Sequence, residues 1–444
     1  MGQEMKIYGS IVFLILGLIG CTPHVKYLPA AGGSSAPFPD LPEKNKMLIG
    51  VALSGGGSRA AVFGAGGLEA LAKRKSKRDN LSLLNKISYI SSVSGGSLAA
   101  SYFAMEKPSG KRHVLTPGGT LTKEYQTFFA QFTQVMAENF QDSMEWRQFY
   151  KLRWGNPALR AQSFEEVLDE SFLHKQTLYD LYRREVEGDT PRLILNSTLY
   201  NNGRRFVITT LPQEDFEYDF VSKVQLGFDA LFKNHSTYTP FPLAIGRAKE
   251  QFIPLTLSAK EINADGRRLP LSQAVTASSA FPFVIGPMTS QVTGSRDYLH
   301  AGDGGLIDRQ GIESLIQIAL KKLEEGKVTR ALVIAFDSSY PFWAGTSWLN
   351  QTDTGFSVYL KDPARIVDIM EQRAIMYQTM LLHILQTEGI VLPDPRIFKL
   401  IVLRVIPTPH GKRISVTFPQ SVRLKNPDGL QRELLHISRR SQPD

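Results

Sequence analysis

Ile87-Ser-Tyr-Ile-Ser-Ser-Val-Ser-Gly-Gly-Ser97 is the stretch on which the fold turns. A short run with β-branched residues, Ile87 to Val93, stops at Ser94-Gly95-Gly96, and an Ala-rich, helix-compatible segment follows from Leu98 to Met105. Strand, sharp turn and helix around a central serine is the geometry of a nucleophile elbow. The turn lifts the hydroxyl off the end of the sheet, and small neighbours let a carbonyl approach. A Gly-rich strand-to-helix loop without chemistry reads the same way, so the surroundings must decide.

Upstream, Met47 to Leu53 is a continuous apolar run of strand length, as a strand buried on both faces requires. It enters Ser54-Gly55-Gly56-Gly57-Ser58-Arg59-Ala60 and a helical segment rich in Ala and Gly. Consecutive glycines leave backbone amides unshielded beside a helix N-terminus, a place for an anion. Phosphate is one guest, although the loop lacks the Gly-Lys-Ser/Thr ending of a P-loop. The oxyanion formed when Ser94 attacks a carbonyl is the other. Small residues at 60, 61 and 64–66 predict a helix packed closely beside the elbow.

Downstream comes an aromatic-rich insertion: Tyr125, Phe128, Phe129, Phe132, Phe140, Trp146, Phe149, Tyr150 and Trp154. Its spacing is roughly helical, which places most rings in the core and leaves a cap over an acyl pocket as the alternative. Leu193 to Leu199 and Arg205 to Thr210 read as a hairpin through Asn201-Asn202-Gly203. Leu271 to Pro287 predicts a small-residue helix stopped at Phe281-Pro282. Tyr298 to Asp308 sets Asp303 before Gly304-Gly305, which is a turn former or a placed carboxylate. Ile312 to Leu323 reads as an amphipathic helix, Arg330 to Phe336 and Phe398 to Ile406 as strands, and Pro363 to Gln386 as a long core-packing helix.

The bulk numbers describe a folded chain. It has 444 residues, 42% hydrophobic and 21% charged, with a formal net charge of +9. The positive excess is scattered, which suits an anionic lipid surface and offers no basic cluster interleaved with aromatics for nucleic acid. One cysteine, Cys21, excludes an internal disulfide and a Cys-based metal site. It closes an apolar run, Ile11 to Ile19, that is too short to span a bilayer and reads as a signal peptide. Leu18-Ile19-Gly20-Cys21 resembles a bacterial lipobox. This predicts a signal peptide over 1–20, lipid on Cys21, and a flexible tether over 21–45 with five prolines. The site is then the bacterial cell envelope, and Thr22 in place of an aspartate favours an outer membrane where the cell has one.

Taken together, the glycine triplet after the first strand, Ser-x-Ser-Gly-Gly, Ala277-Ser278-Ser279-Ala280-Phe281-Pro282 and Asp303-Gly304-Gly305 resemble the patatin-like phospholipases. The form of Ser54 to Ala60 is closest to the related cytosolic phospholipase A2. The resemblance spans 46–410 and leaves 411–444 as a basic tail. It implies a three-layer α/β/α fold with a mostly parallel central sheet and an aromatic-rich helical insertion.

The resemblance also implies Ser94 as nucleophile and Asp303 as its partner in a Ser-Asp dyad. Gly55, Gly56 and Gly57 become oxyanion donors, Arg59 a residue for the substrate phosphate or the loop, and Gly95, Gly96, Gly304 and Gly305 supports of the turns. No cofactor or metal is required. Ser92 stands where the family's elbow begins with Gly, and Ala60 where many members have Gly. His300, three residues before Asp303, is too close to it in the chain to serve a Ser-His-Asp triad and is assigned to structure. The activity implied is hydrolysis of fatty-acyl esters of phospholipids or lysophospholipids through an acyl-serine. A carboxylesterase or acyltransferase, and a lipid-binding envelope lipoprotein without turnover, remain the alternatives.

Overall fold

A computed structural model describes residues 25–32, 38–77, 79–153, 156, 159–219 and 251–338, with 369–370, 373–374, 376, 400–406 and 415–417. In chain order the first half contains β1 (Lys26–Leu28), β2 (Met47–Leu53), α1 (Gly57–Lys73), β3 (Tyr89–Val93) and α2 (Gly95–Glu106). The insertion supplies α3 (Lys123–Met136), α4 (Phe140–Tyr150), α5 (Arg160–Leu168) and α6 (Leu178–Glu187). Then follow β4 (Arg192–Leu199), β5 (Arg205–Thr209), β6 (Leu255–Thr256), α7 (Leu271–Ser278), β7 (Met288–Val292) and β8 (Tyr298–Asp303). The last elements are α8 (Gly305–Asp308), α9 (Ile312–Glu324), β9 (Arg330–Phe336), β10 (Leu400–Ile406) and β11 (Ser415–Thr417).

The strands form one mixed, mostly parallel sheet ordered β1-β7-β8-β4-β3-β2-β9-β10-β11, with β5 and β6 branching from β4. Side chains alternate across it, as pleating demands. In β2, Leu48 and Ala52 join a cluster under α9, while Val51 and Leu53 join a larger one with α1, α2 and the insertion. Helices therefore cover both faces, the three layers that the uninterrupted apolar strands require. In α9 the residues Ile312, Leu315, Ile316, Ala319, Leu320 and Leu323 all face the sheet, the stripe that its sequence period predicts.

β4 decides where the site falls. Its residues 192–196 pair in parallel with β3, 194–198 pair antiparallel with β5, and 197–199 pair antiparallel with β8. Since β5 holds one edge of β4 at residues 197 and 198, β8 takes the edge that β3 vacates after Val93. β3 and β8 thus run toward each other and stop end to end, Val93 opposite Asn196 and Asp303 opposite Ser197.

Two expectations are corrected. The 21–45 stretch is not a free tether in its described residues. Lys26–Leu28 adds to the sheet beside β7, Phe38 is buried against the Tyr182 ring at 5.2 Å, and Arg192 donates to the Leu41 carbonyl. Its proline-rich composition hid two apolar anchors, Leu28 and Phe38, and a free sheet edge for its backbone. At the other end, Ser415–Thr417 pairs antiparallel with β10, so part of the basic tail completes the sheet. The apolar run, Cys21, Trp154 and most of the long helix expected over Pro363 to Gln386 lie outside the described residues.

The close approach of α2 to the end of β2 and to α1 yields a prediction. A Cβ on Gly96 would stand 2.3 Å from the Leu53 carbonyl oxygen, whereas one on Gly64 would stand 3.4 Å from the Ala99 Cβ, ordinary contact. Gly96→Ala is expected to cost at least about 2 kcal/mol in urea unfolding, because backbone must move. Gly64→Ala should stay within about 1 kcal/mol of wild type, its packing offset by better helix propensity. Equal losses would contradict the packing described.

Candidate active site

Ser94 sits between β3 and α2 with φ 51° and ψ −123°, a conformation that L-residues rarely adopt and that costs of order 1–3 kcal/mol. It persists because everything beside it is small and tightly held. A Cβ on Gly95 would meet the Gly57 carbonyl oxygen at 2.0 Å. Ser92, in the place of the expected glycine, is fully buried; its hydroxyl accepts from Ser97 Oγ at 3.0 Å and donates to the Ile194 carbonyl at 3.3 Å. The extra side chain is thus absorbed by hydrogen bonds.

The end of α7 clasps both halves of the site. The Ser278 carbonyl accepts from the Ser94 amide at 3.2 Å and from the Gly304 amide at 3.3 Å. Its hydroxyl donates to the Asn196 carbonyl at 2.5 Å and meets Ser97 Oγ at 2.8 Å. Ala280 accepts from the Asp303 amide at 3.1 Å. Asn196 lies beneath, its Nδ2 donating to Ser91 Oγ and the Ser92 carbonyl at 2.8 and 2.9 Å, its Oδ1 accepting from Ser314 Oγ at 2.6 Å. Gly304 needs its missing side chain, since a Cβ would stand 2.4 Å from the Asn196 carbonyl oxygen.

Asp303 is 2% exposed. Its Oδ1 accepts from the Gly305 amide at 2.7 Å, and its Oδ2 has no hydrogen bond of regular geometry. The Ser94 hydroxyl is nevertheless near enough to favour the charged carboxylate, so the two side chains are within reach and not locked. Burial pushes Asp303 up to about 6, against relief from the Gly305 amide, the Ser94 hydroxyl and the Arg309 charge. A carboxyl at that level is charged at neutral pH and still basic enough to take a proton. His300 sits on the opposite face of β8, its Nδ1 3.0 Å from Thr289 Oγ1, and has no part in this pair.

The glycine loop divides in two. The Gly55 amide donates to the Arg309 carbonyl at 2.8 Å, so it cannot serve an oxyanion, contrary to the sequence reading. Gly56 and Gly57, at φ 140° and 65°, turn into α1, and their amides donate to no acceptor among the described residues. Ser338, just beyond β9, braces the loop: its Oγ donates to the Gly55 carbonyl at 2.9 Å and its amide to Ser54 Oγ at 2.8 Å. Arg59 is exposed at the same end of the site.

These groups open on a cavity of about 330 Å³. Its polar end carries Ser94, Asp303, Gly56, Gly57, Arg59 and Arg309, and its wall is Leu98, Phe140, Met144, Phe164, Phe281, Val284 and Ile285. Ser279 also lines it, with a buried hydroxyl that has no partner. The aromatic insertion therefore splits. Tyr125, Phe128, Phe129 and Phe132 are core, Phe140 walls the cavity, and Trp146, Phe149 and Tyr150 are exposed. Asn196, Ser338 and the role of the Ser278 carbonyl escaped sequence reading; the polar Asn196-Ser197-Thr198 inside an apolar strand was the signal for the first, and Ser278 stood in the Ala277 to Pro282 element without its role being legible.

The buried carboxyl gives a sign that can be measured. An unfolded aspartate titrates near about 3.9, so the native state holds the proton of Asp303 more tightly. Stability from neutral Asp303 is complete below pH about 4 and is lost as pH rises through about 6. Asp303→Asn, neutral throughout, is expected to raise the unfolding free energy at pH 8 by up to about 3 kcal/mol and to match wild type at pH 4. The same difference at both pH values would contradict a burial-driven shift.

Comparison with known proteins meets this geometry. The model of the patatin-like phospholipase family matches residues 51–316, which include the glycine loop, Ser94, Ser278 and Asp303. Among solved structures, human GIVD cytosolic phospholipase A2 aligns at 14% identity with a TM-score of 0.33, covering 66% of this chain and 46% of that one. VipD from Legionella pneumophila aligns at 12% identity with a TM-score of 0.31, covering 95% and 70% respectively. The chain thus spans under half the length of the human enzyme that it matches. No curated protein matches the sequence. By a family match that takes in more than half of its residues, the chain belongs to the patatin-like phospholipases, a family of lipid acyl hydrolases.

Proposed function

We propose that the protein is a serine acyl hydrolase that cleaves fatty-acyl esters of phospholipids or lysophospholipids through Ser94 and Asp303. One observation carries the reading: Ser94 and Asp303 meet at the polar end of an apolar cavity, beside the unengaged amides of Gly56 and Gly57. Asp303 Oδ2 takes the Ser94 proton as Oγ bonds to the ester carbonyl carbon. The Gly56 and Gly57 amides receive the charge that develops on the carbonyl oxygen. Collapse breaks the ester C–O bond, the departing alcohol takes the proton back from Asp303, and the acyl group stays on Ser94. Water then attacks with Asp303 again as base, freeing the fatty acid and restoring the hydroxyl.

The apolar wall suits an acyl chain, which has no polar groups to satisfy. Arg59 and Arg309 place positive charge where a headgroup phosphate would lie. Cys21, read as the lipidated residue of a lipobox, would hold the enzyme on a bacterial envelope membrane, the outer one where present. No helix among the described residues is long and apolar enough to cross a bilayer.

Hydrolysis of short-chain esters and of phospholipid vesicles tests the reading. Ser94→Ala and Asp303→Asn should each lower kcat/KM at least about 10³-fold while the fold is retained. Wild-type kcat/KM should fall about tenfold per pH unit below about 6 and level off above it, as Asp303 loses its proton and becomes a base. Turnover that survives Ser94→Ala would sink the proposal.

A further inference from the structure

We propose that the outer face of α4 is a membrane-docking surface that seats the cavity mouth on a lipid bilayer. Its purpose rests on the lipid hydrolase reading above, while its existence can be tested without turnover. α4 carries apolar side chains on two sides, the outer ones beside the exposed Asp142 and Glu145. Phe140 and Met144 point into the cavity, and Arg147 and Gln148 are buried. One turn on, Trp146 is 66% exposed, Phe149 62% and Tyr150 52%, with Leu152 beyond the helix end at 75%. The Trp146 and Phe149 rings stack on each other at 5.8 Å in solvent.

A helix that only covers a core turns polar residues outward. Leaving three aromatic rings and a leucine in water sacrifices burial worth about 25 cal/mol per Å². Trp and Tyr are also the residues that settle at the headgroup level of a bilayer, apolar ring inward and polar tip wet.

The path of the chain favours a membrane over a protein partner. Lys26 opens β1 five residues after Cys21. A chain spans at most about 3.3–3.6 Å per residue, so a lipid on Cys21 would keep β1 within about 20 Å of the bilayer. Lys26 pairs with Glu165 of α5 at 2.8 Å. The neighbouring Glu166 is clasped by Arg147, Lys151 and Arg153 from the end of α4. Arg160 of the same helix donates at 2.6 Å to the carbonyl of Phe283, itself 66% exposed between the cavity residues Phe281 and Val284. The anchored end, the aromatic face and the cavity mouth thus gather around α5. The basic residues there are matched by Glu166 and Glu170, and the exposed acids Asp142 and Glu145 lie on the same face, so nothing in the surface calls for an anionic lipid.

Vesicle binding tests this on the full chain carrying Cys21→Ser and Ser94→Ala, with neither lipid nor turnover and with the apolar run at 11–19 common to every arm. Failure of the hydrolase reading would leave this result unchanged. The parent should sediment with neutral phosphatidylcholine vesicles. Adding Trp146→Ser, Phe149→Ser and Tyr150→Ser should lower the partition coefficient at least about tenfold, with circular dichroism and unfolding midpoint retained. Should that variant fail to fold, Tyr150→Cys in the cysteine-free parent carries an environment-sensitive dye, expected to shift to the blue on vesicles. A parent that ignores vesicles, a triple variant that binds as well as the parent, or a dye that does not respond would overturn the proposal. So would a lipid-free parent dimer that the three substitutions dissolve, since the face would then join two copies.

Discussion

A single carbonyl oxygen, that of Ser278, accepts from the amides of Ser94 and Gly304. The residue after a strand end and the residue before a helix are thereby tied to one point at the end of α7. The sheet prepares this meeting, since β3 and β8 abut along one edge of β4 and leave Ser94 and Asp303 facing each other. Register along β4 sets the separation coarsely, and the Ser278 carbonyl sets it finely. Positioning of this kind is what the proposed pairing of Ser94 with Asp303 depends on, because an acid that acts without a histidine between has to reach the serine directly.

The surrounding structure carries two costs. Ser94 is strained at positive φ, and Asp303 is a carboxylate withdrawn from water. Both are tolerated because the polar groups beneath are satisfied. Asn196 makes hydrogen bonds with both ends of its amide, and Ser97, Ser278 and Ser314 close the network around it. A buried polar network that is complete rigidifies, and a half-made one would destabilise. Two of the buried atoms without a hydrogen-bond partner, Asp303 Oδ2 and Ser279 Oγ, belong to residues that line the cavity, where a substrate can complete them.

Much of this was legible in the chain. β2 and β9 fall on the apolar runs Met47 to Leu53 and Arg330 to Phe336, and β4 with β5 forms the expected hairpin, because buried strands advertise themselves by composition. Ser94 and Asp303 stood out since glycine-bounded turns are local features. What failed was whatever depends on a distant partner. Nothing near Gly55 says that its amide belongs to Arg309, some 250 residues on. Proline content around residue 30 could not reveal that β7 offers an open edge. The aromatic insertion shares one period throughout, yet its rings divide between core, cavity wall and solvent according to what α2, α5 and the sheet present to them.

The most direct measurement is to map the adduct formed by a fluorophosphonate, whose phosphorus mimics the attacked carbonyl carbon, and to follow its rate against pH. Mass spectrometry should find the label on Ser94 alone, formed at a rate that follows deprotonation near pH 6 and is lost in Asp303→Asn. A label on another serine, or a rate on Ser94 indifferent to pH and to Asp303, would contradict the pairing of these two residues.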